Sequence, residues 1–155
     1  MSNRKETVIQ FGEGGFLRGF VDYFFQKLKD QNLFDGSVVI VQPIEKGMCE
    51  MLEKQNCEYN LFLRGIDNGQ VVDEHTHIDV ISRCVNPYTD NAAYMALAEN
   101  PDFRFIVSNT TEAGIQYDPS CQKDDCPPSS FPAKLTQILY HRYQAGKPGI
   151  IMLAC

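Results

Sequence analysis

What most constrains this chain is a short apolar run that stops at a cluster of glycines. Thr7-Val8-Ile9-Gln10-Phe11 is rich in β-branched side chains, and Gly12-Glu13-Gly14-Gly15 follows it directly. The first composition suits a pleated, half-buried strand and the second a turn. Past the glycines, Phe16, Phe20, Tyr23, Phe24 and Leu28 recur at three- and four-residue steps, the spacing of an amphipathic helix. Asp35-Gly36 breaks that pattern. Val38-Val39-Ile40-Val41 is then apolar without alternation, as expected of a parallel strand buried on both faces. Strand, glycine turn, helix and strand form a βαβ unit, whose crossover is right-handed in nearly all cases.

A strand running into Gly12-x-Gly14 and then a helix is the arrangement that binds dinucleotides. Gly12 permits the tight turn, and Gly14 lets the backbone approach a pyrophosphate. The helix beginning near Gly15 and Phe16 points unpaired N–H groups and its positive dipole end at that phosphate. An ordinary tight turn between strand and helix is the plain alternative. Two features depart from the general G-x-G-x-x-G pattern. Leu17 holds the third glycine position, and no carboxylate ends the second strand, where Gln42-Pro43 stands with Glu45 three residues after Gln42. The ribose-binding acid is therefore open. The lack of an arginine there favours NAD over NADP, although Lys46 works against that preference. Arg18 falls in the first helical turn, near the expected phosphate; a solvated helix arginine is its alternative reading.

Farther along, Tyr59 to Gly65 reads as a strand, Asp67-Asn68-Gly69 is a hairpin signal, and Val71 to Arg83 alternates up to Asn86-Pro87. This predicts an antiparallel ribbon inserted after the second parallel strand. A helix is expected over Asp90 to Glu99 and a parallel strand over Phe103 to Ser108. Residues Asn109 to Ser130, rich in Thr, Asp, Cys and Pro, form a loop of a length usually tied to function. A helix over Pro132 to Gln144 should turn Leu135, Ile138, Leu139 and Tyr143 to one face. Gly149 to Ala154 reads as a further buried-type strand. The fold class is α/β: a Rossmann-type open, mostly parallel sheet, helices on both faces, with an inserted antiparallel β-ribbon.

Composition narrows the partners. The 155 residues suit one domain, and 43% hydrophobic content supplies a core. A net charge of −6 without a Lys/Arg cluster argues against nucleic acid or an anionic membrane. No apolar run approaches the roughly 20 residues of a membrane span, and no apolar signal segment follows Met1, so a cytoplasmic protein with reduced thiols is expected. Cys121 and Cys126 have zinc-ligand spacing but lack a second pair; His75 and His77 alternate along the ribbon, as a solvated strand face would. No metal site is assigned.

Ile9 to Arg18 resembles the opening fingerprint of the mannitol dehydrogenase family of long-chain polyol dehydrogenases, in which glycines are followed by Phe and, two residues on, by Arg. Phe20-Val21-Asp22, Val41 to Glu45, Ser108 to Ile115 and Phe131 to Thr136 extend the likeness, toward the branch that interconverts D-tagaturonate and D-altronate with NAD in bacterial hexuronate breakdown. The resemblance implies that the coenzyme is bound by Gly12, Gly14, Gly15, Phe16, Arg18 and Gln42 and covered by Asn109, Thr110 and Glu112. It also implies a catalytic lysine, with asparagine and histidine beside it, on a helical C-terminal domain outside this chain. No catalytic residue is therefore assigned, and the chain is expected to be a truncated coenzyme domain that meets its keto-uronate substrate only with the missing half. Three alternatives stay open: a fructuronate- or mannitol-type relative, a stand-alone nucleotide-binding module, and a methyltransferase, which also has a glycine-rich first turn.

Overall fold

The structure, a computed structural model, describes residues 4–155. Five strands form one parallel sheet: β1 (Glu6–Phe11), β2 (Ser37–Val41), β5 (Ile81–Val85), β6 (Phe105–Ser108) and β7 (Ile151–Ala154), in the order β5-β2-β1-β6-β7. Between β2 and β5 the chain adds helix α2 (Cys49–Lys54) and a separate antiparallel ribbon of β3 (Tyr59–Asp67) and β4 (Gln70–Ile78). Strand order reverses between β1 and β6: from β1 the chain builds outward through β2 to β5 on one side, then returns to add β6 and β7 on the other.

The central strands are buried on both faces because their side chains alternate between two cores. Val8, Val38, Ile40 and Val107 point to one side, against α1 (Gly15–Asp30) through Leu17 and Val21 and against α2 through Leu52. Ile9, Phe11, Val39, Val41 and Ile106 point to the other, against Tyr94 of α3 (Asn91–Ala96) and Ile138 of α4 (Phe131–Gln144). Helices on both faces and the inserted ribbon match the expected fold class. At the hairpin, Asn68 and Gly69 both take positive φ, 48° and 79°. That is the conformation an Asn-Gly pair adopts at low cost, and it matches the strand twist.

Four expectations need correction. The ribbon does not run to Arg83: β4 ends at Ile78, and Ile81–Val85 crosses back to pair in parallel with β2. The aromatic stripe that marks α1 is not its buried face. Phe16, Phe20 and Phe24 are about half exposed, whereas Leu17, Val21, Asp22 and Gln26 are buried. On α4 the inward residues are Lys134, Gln137, Ile138 and Arg142, while Tyr143 is 80% exposed. Last, β7 lies at the sheet edge with all its side chains exposed, so its apolar run does not mark a strand buried on both faces. In α1 and α4 the error has one cause: long polar side chains occupy inward positions, and a search for apolar spacing passes over them.

Candidate functional site

The parallel strands end together, and the turns after β1, β2 and β6 meet there. Gly12 has φ +119° and donates its N–H to the Val41 carbonyl at 3.0 Å, closing the turn against β2. A Cβ on Gly12 would lie 3.1 Å from the Leu17 side chain, so this glycine is required by backbone conformation and by space. Leu17, at the third glycine position of the general motif, is thus packed onto the turn. Gly14 and Gly15 differ: a Cβ at either meets nothing within 4 Å. Gly14 is the N-cap of α1, and no side chain caps the helix. The first-turn N–H groups have no partner within a helix by construction, so this end presents donors and a positive dipole to open space.

Gln42 is buried. Its amide nitrogen donates to the carbonyls of Ile44 (2.9 Å) and Glu45 (3.0 Å), and its oxygen accepts from the Cys49 N–H at 3.3 Å. The residue wraps the loop after β2 around itself. Buried Glu13 accepts from the Met48 N–H at 3.0 Å, and burial pushes its carboxyl above the ordinary range. Gly47 lies where any Cβ would collide with Glu13 and Gln42. The loop after β2 is in this way locked to the glycine turn.

Across the reversal point, Phe11, Gly12, Pro43 and Ile44 face Asn109, Thr110 and the long loop up to Phe131 over a cleft of about 600 Å³. Its position, outside the carboxyl ends of the strands where strand order reverses, is where open α/β sheets bind ligands. Of the residues selected from the sequence, Gly12, Asn109 and Thr110 line this cleft. Gly14, Gly15 and Phe16 are exposed at the adjoining helix end. Arg18 stacks its guanidinium over the Tyr59 ring, 5.6 Å from the centroid, and Glu112 is exposed on the loop. Asn109 donates from Nδ2 to the Cys155 carbonyl at 3.2 Å, tying the turn after β6 to the edge strand.

Sequence reasoning missed the buried polar residues behind the site. Lys134 is fully buried, with Nζ 2.9 Å from both the Tyr88 hydroxyl and the Ser129 carbonyl; burial lowers its pKa to about 8. Arg142, 2% exposed, donates to the carbonyls of Ala98, Asn100, Phe103 and Pro148, binding α4 to the segments entering β6 and β7. A hint was available: each stands at a helical step from an apolar neighbour, Lys134 from Ile138 and Arg142 from Ile138 and Leu139.

Comparison with known proteins agrees with this architecture. Residues 6–155 match the model of the mannitol dehydrogenase Rossmann domain. This chain belongs to the mannitol dehydrogenase family. Among curated members, the altronate oxidoreductase of Phocaeicola vulgatus is 54% identical, over 99% of this chain and 33% of its own length. That of Bacteroides thetaiotaomicron is 52% identical, over 98% and 33%, and that of Bacillus subtilis 44% identical, over 97% and 32%. The chain thus spans about a third of the length of these relatives. Among solved structures, the mannitol 2-dehydrogenase of Pseudomonas fluorescens, a ternary complex with NAD and D-mannitol, superposes with a TM-score of 0.80 at 18% identity, covering 99% of this chain and 34% of that one. A substrate-free D-sorbitol dehydrogenase gives 0.78 at 18% identity, over 98% and 34%. Among the described residues no helix is long and apolar enough to cross a membrane.

Proposed function

We propose that this member of the mannitol dehydrogenase family is the coenzyme-binding domain of a cytoplasmic NAD-dependent oxidoreductase that interconverts D-tagaturonate and D-altronate. The observation that carries the coenzyme reading is the open, uncapped, glycine-built start of α1, beside a cleft at the point where strand order reverses. A diphosphate fits there: the backbone of Gly14 and Gly15 is unobstructed, and the first-turn amides supply donors. Gly12 shapes the turn. Phe16 and Arg18 flank it, Gln42 holds the loop on the adenosine side, and Asn109, Thr110 and Glu112 cover the coenzyme from across the cleft. Bound NAD would supply the hydride acceptor or donor; these residues bind and orient it.

The substrate assignment rests on the names of the relatives. Their additional length is where we place the acid/base lysine and the keto-uronate contacts, since hydride transfer to a carbonyl needs a positioned proton donor. The purified chain is accordingly expected to show no tagaturonate-dependent oxidation of NADH. Calorimetric titration with NAD and, separately, S-adenosylmethionine tests the coenzyme reading. Heat of binding with NAD alone supports it; binding of the methyl donor with no response to NAD overturns it.

A further inference from the structure

Behind the glycine turn lies a polar cluster to which no function is yet attached. Asp22, in the middle of α1, is fully buried. Gln10 of β1, also fully buried, donates from Nε2 to the Gly12 carbonyl at 3.1 Å. Tyr59, the first residue of β3, places its hydroxyl 2.7 Å from the Arg18 carbonyl and 3.1 Å from Asp22 Oδ2. The cluster therefore touches the turn at Gly12, the first turns of α1 at Arg18, and the base of the ribbon.

We propose that Asp22 is a positioning residue for the coenzyme turn, and that it works as the neutral acid, supplying the proton that joins Gln10, Tyr59 and the turn into one closed network.

Proton counting is the reason. The Tyr59 hydroxyl has one proton and two neighbouring oxygens. The Arg18 carbonyl can only accept, and it is the nearer. The hydroxyl proton is shared between the Arg18 carbonyl and Asp22 Oδ2, both acceptors, so the Oδ2 side of Asp22 asks for no proton of its own. On its other side, Asp22 Oδ1 and Gln10 Oε1 are both buried acceptors without a hydrogen-bond partner. Arg18 Nε is also buried without a partner, but its guanidinium is turned onto the Tyr59 ring. A single proton on Asp22 Oδ1, donated to Gln10 Oε1, pairs the two acceptors while Oδ2 accepts from Tyr59. The charged and titratable groups facing Asp22 among the described residues are Arg18 from its own helix and Tyr59 from β3; β1 contributes neutral Gln10. Arg18 does not form an ion pair with Asp22; its guanidinium stacks on Tyr59 instead. Burial pushes the Asp22 carboxyl up to about 7, against the opposing pull of Tyr59, Gln10 and Arg18. Loss of the proton above that pH leaves a buried charge and breaks the closed network, loosening the carbonyls of Gly12 and Arg18.

For the coenzyme the inference rests on the NAD reading above, but the network itself can be tested without it. Amide NMR shifts of Gly12 and Arg18 in the whole chain, followed from pH 5.5 to 8.5, are expected to move together with a midpoint near 7. Asp22→Asn, an uncharged isostere that keeps a donor, should abolish that movement. Folding stability carries the same signature. The folded pKa lies above the unfolded value, so the folded chain holds an extra proton between about 4 and 7. Stability should fall as pH rises through that window in the native chain relative to Asp22→Asn. NAD affinity should drop about tenfold from pH 6 to 8.5 in the native chain. The Asn variant should hold its pH 6 affinity throughout, and Asp22→Ala should bind weakly at both. An Asn variant that titrates like the native chain overturns the proposal. Absence of NAD binding in every variant defeats the coenzyme reading only, and the amide and stability profiles then decide the role of Asp22. If Asp22→Ala fails to fold, the native and Asn chains still make the comparison.

Discussion

Helices α1 and α4 both begin at the cleft, and they begin differently. Ser130 caps α4, its hydroxyl accepting from the Ala133 N–H at 3.3 Å, and Pro132 sits in the first turn, where its missing donor costs nothing. Buried Lys134 then ties that turn to Ser129 and Tyr88. The start of α1 has Gly14 at the cap, no side-chain acceptor, and open space over two glycines. Where a helix end serves only the fold, the chain satisfies it internally. Where the chain leaves donors bare beside a cleft, no acceptor of its own meets them, and that is the end at which we propose the diphosphate binds.

Substitutions at the two helices test the contrast. The largest effect is expected at the far end of α4. Arg142→Leu leaves four carbonyls without their donor and should cost about 3 kcal/mol or more in chemical denaturation. A loss under about 1 kcal/mol would mean that α4 is not the fixed element described here. Next comes Gly12→Ala, which forces a side chain into φ +119° and against Leu17. It should cost about 1–3 kcal/mol and also weaken NAD binding. Ser130→Ala removes the α4 cap for about 1 kcal/mol and should change NAD affinity little, because Ser130 borders the cleft but its hydroxyl is engaged by the Ala133 N–H. A parallel loss of affinity would show the two helix ends to be less distinct than they look. The smallest stability change is the most diagnostic. Gly14→Asp gives α1 the cap it lacks and should raise stability by about a few tenths of a kcal/mol, while its charge repels the diphosphate and lowers NAD affinity. Opposite signs in the two measurements are the expected outcome.

The same contrast separates what was legible in the sequence from what was not. β1, the glycine turn, β2 and the Asn-Gly hairpin were readable because each rests on local chemistry: β-branched runs, a conformation only glycine takes readily, positive φ at Asn68 and Gly69. The facing of α1 was not, since its buried positions include Asp22 and Gln26 and its exposed stripe is aromatic. β5 was hidden because the alternation of β4 runs on past Asp79, and only pairing with β2 separates the two strands. Helix α2, six residues long, is too short to show a period. In the candidate site, the tight turn at Gly12 was legible because it rests on a backbone conformation that favours glycine. The work of Gln42 was not visible, because a polar residue at a strand end looks the same whether it meets a ligand or, as here, three backbone groups of its own loop.

The central claim is that the first amides of α1 grip the coenzyme diphosphate. Backbone amide NMR of the whole chain during an NAD titration tests it residue by residue. The largest saturable shifts are expected at Gly14, Gly15 and Phe16, with smaller ones at Asn109 and Thr110 across the cleft. Saturable shifts elsewhere that leave Gly14 to Phe16 unmoved would contradict it.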